Sequence, residues 1–205
     1  REALSDRVVL AVTLHAGLVA VAAGATLSFL ALRLEEGIGA TPIMIGVAFA
    51  MQDITGGLAQ PILGRIADRR DRRLLVAGGL AAYATLLASL GVVPSYGAAL
   101  AVLLGMGATS SLSMVAAGAI QVVAGRRAGM GTVLGLSSAS NGIGIVAGSL
   151  LSGVVVSLFQ LEGAFFFGGA VMAAGIPPFL WLTRGAVVAE AAAPEARVRE
   201  AEAAG

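Results

Sequence analysis

The chain has 205 residues, 58% of them apolar and only 12% charged, about half the charged share of a soluble domain, and its mean hydropathy is +0.92. That leaves too little polar surface to face water, so lipid surrounds much of the fold. With no cysteine and one histidine, disulfides, thiolate chemistry and a histidine metal cluster are excluded, and no metal or cofactor is expected.

Six apolar runs follow in order, each of about 20 residues or more, enough for a helix to cross about 30 Å of hydrocarbon. The first, 8–32, carries His15 and ends at Arg33, Glu35 and Glu36. The second, 42–63, carries Gln52, Asp53 and Gln60 and ends in the basic stretch 64–73. The third, 74–93, contains Tyr83, to which no role is given. The fourth, 97–124, ends at Arg126 and Arg127, and the fifth, 132–159, is rich in glycine and contains Asn141. The sixth, 163–183, contains Gly175 and the pair Pro177-Pro178, which is expected to kink or unwind it. Runs rich in Ala, Leu and Gly with no period-2 alternation are not strands, so the fold class is all-α.

The remaining stretch, 185–205, is a tail rich in Ala, Glu and Arg. Glu195 and Arg199 are spaced to support a short helix there, which Pro194 limits. The chain opens on Arg1 and lacks a signal-peptide pattern, and it reads as a piece of a longer polypeptide.

Arginine sets the orientation, because there is no lysine. With the N-terminus in the cytoplasm, all of the 13 arginines except Arg33 fall on the cytoplasmic side, as positive-inside sorting requires. The expectation is a multi-pass protein of the cell's inner (plasma) membrane with both termini cytoplasmic. Its transmembrane unit covers 1–184 and its cytoplasmic tail 185–205.

Small residues recur every four positions in three spans: Ala16, Ala20, Gly24 and Ser28; Ala101, Gly105, Thr109 and Ser113; Ser140, Gly144, Gly148 and Ser152. Such stripes allow close helix packing. Gly142 and Gly144, beside Asn141, mark the expected bend of the fifth span. Asp53 lies about 16 Å along its helix from Gly64, near the bilayer centre, where an aspartate costs roughly 2.5–3.5 kcal/mol to insert. It therefore faces protein or water. At 100° per residue it shares one stripe with Gly57, Gly64 and Asp68, so that face meets other protein. Ionisable groups at such depth mark proton paths, and Asp53 and His15 are the candidates for proton coupling. Each also has a plainer reading, as a hydrogen-bonded structural group.

Gly64, Asp68, Arg69, Arg72 and Arg73 match a loop signature, and their stretch resembles that of the major facilitator superfamily. Its place between the second and third spans of a six-span unit matches as well. Asp71 stands where that family usually has glycine. The region around Arg126, Arg127, Gly129, Thr132 and Gly135 is similar to the approach to the eleventh helix of such transporters. The fourth span lacks the membrane arginine often found in the N-terminal half, which favours the C-terminal half.

The resemblance implies two inverted three-helix repeats, although no residue-level repeat is visible. It implies that Asp68 and its neighbours form a gate against an N-terminal six-helix half. It also implies that the first and fourth helices line a substrate cavity. On that basis Ser28, Thr109 and Ser113, with Gln52 and Asn141, are candidate cavity residues.

The function expected is secondary active transport of a small organic solute by alternating access, coupled to protons. The expected partners are the N-terminal half, the bilayer, the solute and protons, with no nucleic acid. The alternative is a half-transporter or scaffold acting as a dimer. An enzyme is not expected: no nucleotide-binding loop is present, and no serine-nucleophile motif accompanies the lone His15.

Overall fold

A computed structural model describes residues 6–184, and every regular element among them is an α-helix. Four of the helices start where a side chain accepts one of the first free N–H groups. Asp6 Oδ1 takes the Val8 N–H at 2.8 Å ahead of α1 (Arg7–Ile38). The Thr41 and Ser95 hydroxyls do the same ahead of α2 (Pro42–Ala67) and α4 (Tyr96–Ala128). Asp71 Oδ1 accepts the Arg73 N–H at 2.9 Å ahead of α3 (Arg72–Leu90). The position where glycine was expected thus holds a helix cap at φ −61°, a conformation that needs no glycine. The last two helices, α5 (Met130–Phe159) and α6 (Glu162–Leu182), begin without a side-chain cap.

Helix ends also differ from the apolar runs for physical reasons. α1 continues past 32 to Ile38 because Arg33 does not reach water. The residue is only 9% exposed, and its Nη2 donates to Gly91 O at 3.0 Å and Val93 O at 3.1 Å. The guanidinium thereby neutralises the negative end of α3. α1 then stops at Gly39, in the left-handed region at φ 76°, with the Ala40 N–H reaching back to Leu34 O, a glycine-based C-cap. α6 runs unbroken through Pro177 and Pro178 to Leu182, so the expected unwinding does not occur. Gly129, at φ 87°, is the sole residue between α4 and α5. Gln160, at φ 65°, makes the turn into α6, a strained position for a residue with a side chain.

α1 packs most closely on α5 and α6, α4 on α2 and α3, and α3 on α6. Exchanging α1 with α4, α2 with α5 and α3 with α6 turns this pattern into itself. The two inverted three-helix repeats are therefore present in the packing although no residue repeat can be read. Each of the two closest seams is tied by a serine hydroxyl donating to a glycine carbonyl. Ser149 Oγ donates to Gly24 O at 3.2 Å between α5 and α1, and Ser111 Oγ donates to Gly56 O at 2.8 Å between α4 and α2.

The core is filled from α1, α3, α4 and α6, with Leu30, Leu80, Leu87, Leu103, Met106 and Phe165 fully buried. α2 and α5 flank it: 11% and 17% of their membrane-length stretches are buried, against 50% for α1. All six helices are long and apolar enough to span a membrane.

Candidate functional site

A cavity of about 560 Å³ lies between α1, α4 and α5. α1 presents Val12, His15, Ala16 and Val19; α4 presents the face from Ser110 to Gln121; α5 presents Leu134, Ser137, Ser138 and Asn141. These stretches sit between the middle of the bundle and the end that carries Arg7, Arg126 and Arg127. Half of the lining residues are polar, and none is Asp, Glu, Lys or Arg. His15 is buried, its ring 6.2 Å from that of Phe179, and its Nε2 has no hydrogen-bond partner among the described groups. A buried polar atom without a partner costs about 1–3 kcal/mol, and this one belongs to a residue of the cavity lining. Gln121 Nε2 donates to Ser137 Oγ at 3.1 Å across the α4–α5 hairpin.

Of the residues proposed for the cavity from sequence, Ser113 and Asn141 line it beside His15. The others sit elsewhere. Ser28 Oγ donates to Ser149 Oγ at 3.0 Å on the α1–α5 seam. Thr109 Oγ1 donates to Gly105 O within its own helix at 2.9 Å. Gln52 is half-buried with its Oε1 unpartnered.

Ser110, Gln121, Ser137 and Ser138 also line the cavity and are not among the candidates read from sequence. A signal existed for one pair: Gln121 and Ser137 are 16 residues apart and symmetric about Gly129. A helical hairpin with a one-residue turn sets such positions face to face.

Asp53 is exposed and outside the cavity lining. α2 has two distinct exposed faces. One carries Ile43, Val47, Ile54, Leu58 and Ile62, a large exposed apolar surface. The other carries Gly46, Asp53, Gly57, Gln60 and Gly64. A Cβ added at Gly46 or Gly57 would meet nothing within 4 Å, and one at Gly64 would reach only Val115 at 3.9 Å. α5 repeats this division. Ile143, Leu150 and Val154 are exposed on one side, and Gly131, Gly135 and Gly142 face open space on another. Helical glycine is destabilising by roughly 0.5–1 kcal/mol relative to alanine, and nothing in this chain's own packing requires it at these positions.

In the basic stretch, Gly64 is half-buried on α2, while Asp68 caps the end of that helix with its side chain exposed. Arg69 is exposed and Arg72 half-buried. Arg73 turns inward: its Nε donates to Thr183 Oγ1 and its Nη2 to Leu180 O, both at 3.0 Å. It caps the negative end of α6. Arg7 stacks over Trp181 on the same helix, 5.3 Å from the ring centroid. Arg73→Ala is expected to lower stability by about 1.5–3 kcal/mol, the usual worth of hydrogen bonds from a charged donor, read as a lower thermal midpoint in nanodiscs. Arg73→Lys is expected to restore only part, because one ammonium does not reproduce the fork, and Arg69→Ala is expected to change nothing.

The short helix expected around Glu195 and Arg199, limited by Pro194, lies outside the described residues. No curated protein matches the chain. The family model described as Major Facilitator Superfamily matches residues 12–203, which takes in all of the cavity lining and the whole basic stretch. A six-helix, membrane-length bundle with inverted packing, a Gly64–Asp68–Arg69–Arg72–Arg73 loop after its second helix and that match over most of its length belong together: the chain is a member of the major facilitator superfamily.

Proposed function

We propose that this chain is the C-terminal six-helix half of a secondary active transporter that moves a small organic solute by alternating access, driven by protons. The observation that carries the reading is the uncharged, half-polar cavity between α1, α4 and α5, set beside two helices whose glycine-bearing faces nothing in the chain covers. The N-terminal six-helix half is the occupant of those faces, and Asp68 with its neighbours forms the gate against it. The arginine-rich end faces the cytoplasm, so the cavity is the inward-facing part of the solute path. Asp53 carries the coupling proton on the covered face of α2, and His15 belongs to the cavity wall.

The test is flux. The complete transporter, reconstituted in liposomes, is given a panel of drugs, sugars and carboxylates with and without an imposed proton gradient. Gradient-dependent accumulation of at least one solute is expected. Accumulation indifferent to collapse of the gradient would remove the proton coupling, and no saturable flux of any solute would remove the carrier reading. The lack of cysteine makes the orientation testable on its own. A membrane-impermeant thiol reagent applied outside intact cells is expected to miss Arg70→Cys, and labelling there would reverse the topology.

A further inference from the structure

Arg7, Trp181 and Arg184 meet at the arginine-bearing end of α6, and the carrier mechanism proposed above uses none of them. The Arg7 guanidinium lies over the Trp181 ring, 5.3 Å from its centroid. α6 ends in a tight turn in which the Arg184 N–H donates to Trp181 O at 3.2 Å, so Trp181 and Arg184 stand three residues apart on one side of the helix. Both are exposed. Stacking uses the face of a guanidinium and leaves its edge of N–H donors open. The negative end of α6 would oppose an anion here, but Arg73 already covers it through Leu180 O and Thr183 Oγ1. Two carboxylates are close by in the chain. Asp6 Oδ1 accepts the Val8 N–H and Asp71 Oδ1 the Arg73 N–H, so each is turned onto the start of a helix. Arg7, Arg72, Arg73 and Arg184 outnumber them. The end of α6 therefore carries a surplus of positive charge around an exposed aromatic ring.

We propose that this corner holds an anionic phospholipid of the cytoplasmic leaflet, its phosphate on Arg7 and Arg184 and an acyl chain along α6. The leaflet rests on the orientation given above; the site does not. What favours a lipid over a free phosphate is the surface beyond the ring. Phe166, Ala170, Ala174, Pro177 and Trp181 are all exposed. Spaced by four and three residues, they form one face of α6, and no charged residue follows Glu162 in that helix. Leu74, at the start of α3, is exposed as well, and α3 packs on α6. Tryptophan favours the headgroup level of a bilayer. A guanidinium pairs with phosphate in a two-pronged geometry, and each arginine near an anionic surface adds to the attraction. A soluble anion gains only the charge, whereas a phospholipid also gains the apolar face. Held there, the lipid joins the start of α1, which Arg7 heads, to the end of α6.

Trp181 is the only tryptophan of this chain, and it serves as the reporter. The complete transporter is placed in phosphatidylcholine nanodiscs containing increasing shares of tail-brominated phosphatidylglycerol or tail-brominated phosphatidylcholine. The emission that Trp181→Phe removes is the signal. Brominated phosphatidylglycerol is expected to quench it with a relative affinity at least about fivefold above that of brominated phosphatidylcholine. Arg7→Gln with Arg184→Gln is expected to bring the two lipids close to parity. Arg126→Gln with Arg127→Gln, exposed arginines at the end of α4, is expected to leave the preference unchanged. Arg184→Gln alone, beyond the end of α6, is expected to halve the preference and serves if the first pair does not fold; thermal midpoints in pure phosphatidylcholine check this. Equal quenching by the two lipids overturns the proposal. So does a preference that falls as far in the Arg126 and Arg127 pair, which would mean a general attraction of that end of the protein. Displacement of brominated phosphatidylglycerol by inorganic phosphate would make the occupant a free anion, and displacement by a peptide of residues 185–205 would make it the chain's own tail; each overturns the lipid. Nanodiscs expose both faces of the bilayer, so these outcomes hold whether or not solute flux is found.

Discussion

Asp53→Asn is expected to abolish solute accumulation driven by a proton gradient while solute-for-solute exchange continues at about the parent rate. An asparagine fills the same space and still forms hydrogen bonds, but it cannot bind and release a proton in a transport cycle. The position makes the expectation sharp. An aspartate near the middle of a span costs roughly 2.5–3.5 kcal/mol to insert, and such residues are kept where they carry ions or protons or hold a partner. In this chain Asp53 stands on an exposed face of α2, apart from the cavity lining, so its removal does not disturb the solute's contacts. Asp53→Glu is expected to retain uphill transport. If Asp53 were instead a structural group joining two halves, exchange, accumulation and thermal stability would all fall together in Asp53→Asn. Normal uphill transport by that variant would end the proton hypothesis.

The second large effect separates two kinds of glycine. At Gly148 an added Cβ would run into the backbone of Val21, and at Gly107 into that of Gln52 and Gly56. At Gly144 it would stand 2.6 Å from the Ala20 Cβ and 2.7 Å from Gly17 O. Backbone does not give way as a side-chain tip does. Gly148→Ala and Gly107→Ala are therefore expected to cost roughly 1–3 kcal/mol or more, the range of overpacked cores, visible as lost monodisperse protein and a lower thermal midpoint. Gly57→Ala and Gly142→Ala face open space, and each is expected to hold or raise the chain's own stability by about 0.5–1 kcal/mol. Yet both are expected to depress transport, because the methyl groups would intrude on the open face that the proposed N-terminal half covers. Full transport by the open-space variants would mean that lipid, not protein, lies against those glycines. A self-associating chain that loses its dimer in them would favour a second copy as the occupant.

The six helices could be read from hydropathy alone, because each apolar run is long and bounded by charge or by turn residues. Their ends were less legible. Arg33 looked like a surface loop residue, since a sequence does not show that two carbonyls beyond α3 wait for its guanidinium. The stripe of Gly105 and Ser113 does mark a close approach, to Leu86 and Gly79 of α3. The tighter approach of α4 to α2, through Gly107 and Ser111, lies on another face of the same helix and was missed. A helix small on several sides does not announce which side meets which neighbour. The cavity was half legible for the same reason. His15, Ser113 and Asn141 come together, but the serines and Gln121 that join them depend on the register of α4 against α5, which Gly129 fixes and composition does not.

That joint has a mechanical consequence. A turn of one residue leaves no slack between helices of 33 and 30 residues, so α4 and α5 behave as arms of a single hinge. α5 is about 45 Å long, and a rotation of about 5° at Gly129 sweeps its far tip through about 4 Å. The serine ties to α1 oblige that helix to travel with it. At Gln121 and Ser137, about 12 Å from the pivot, the same rotation moves the wall by only about 1 Å, so the widening grows along the rod and is greatest at its far tip.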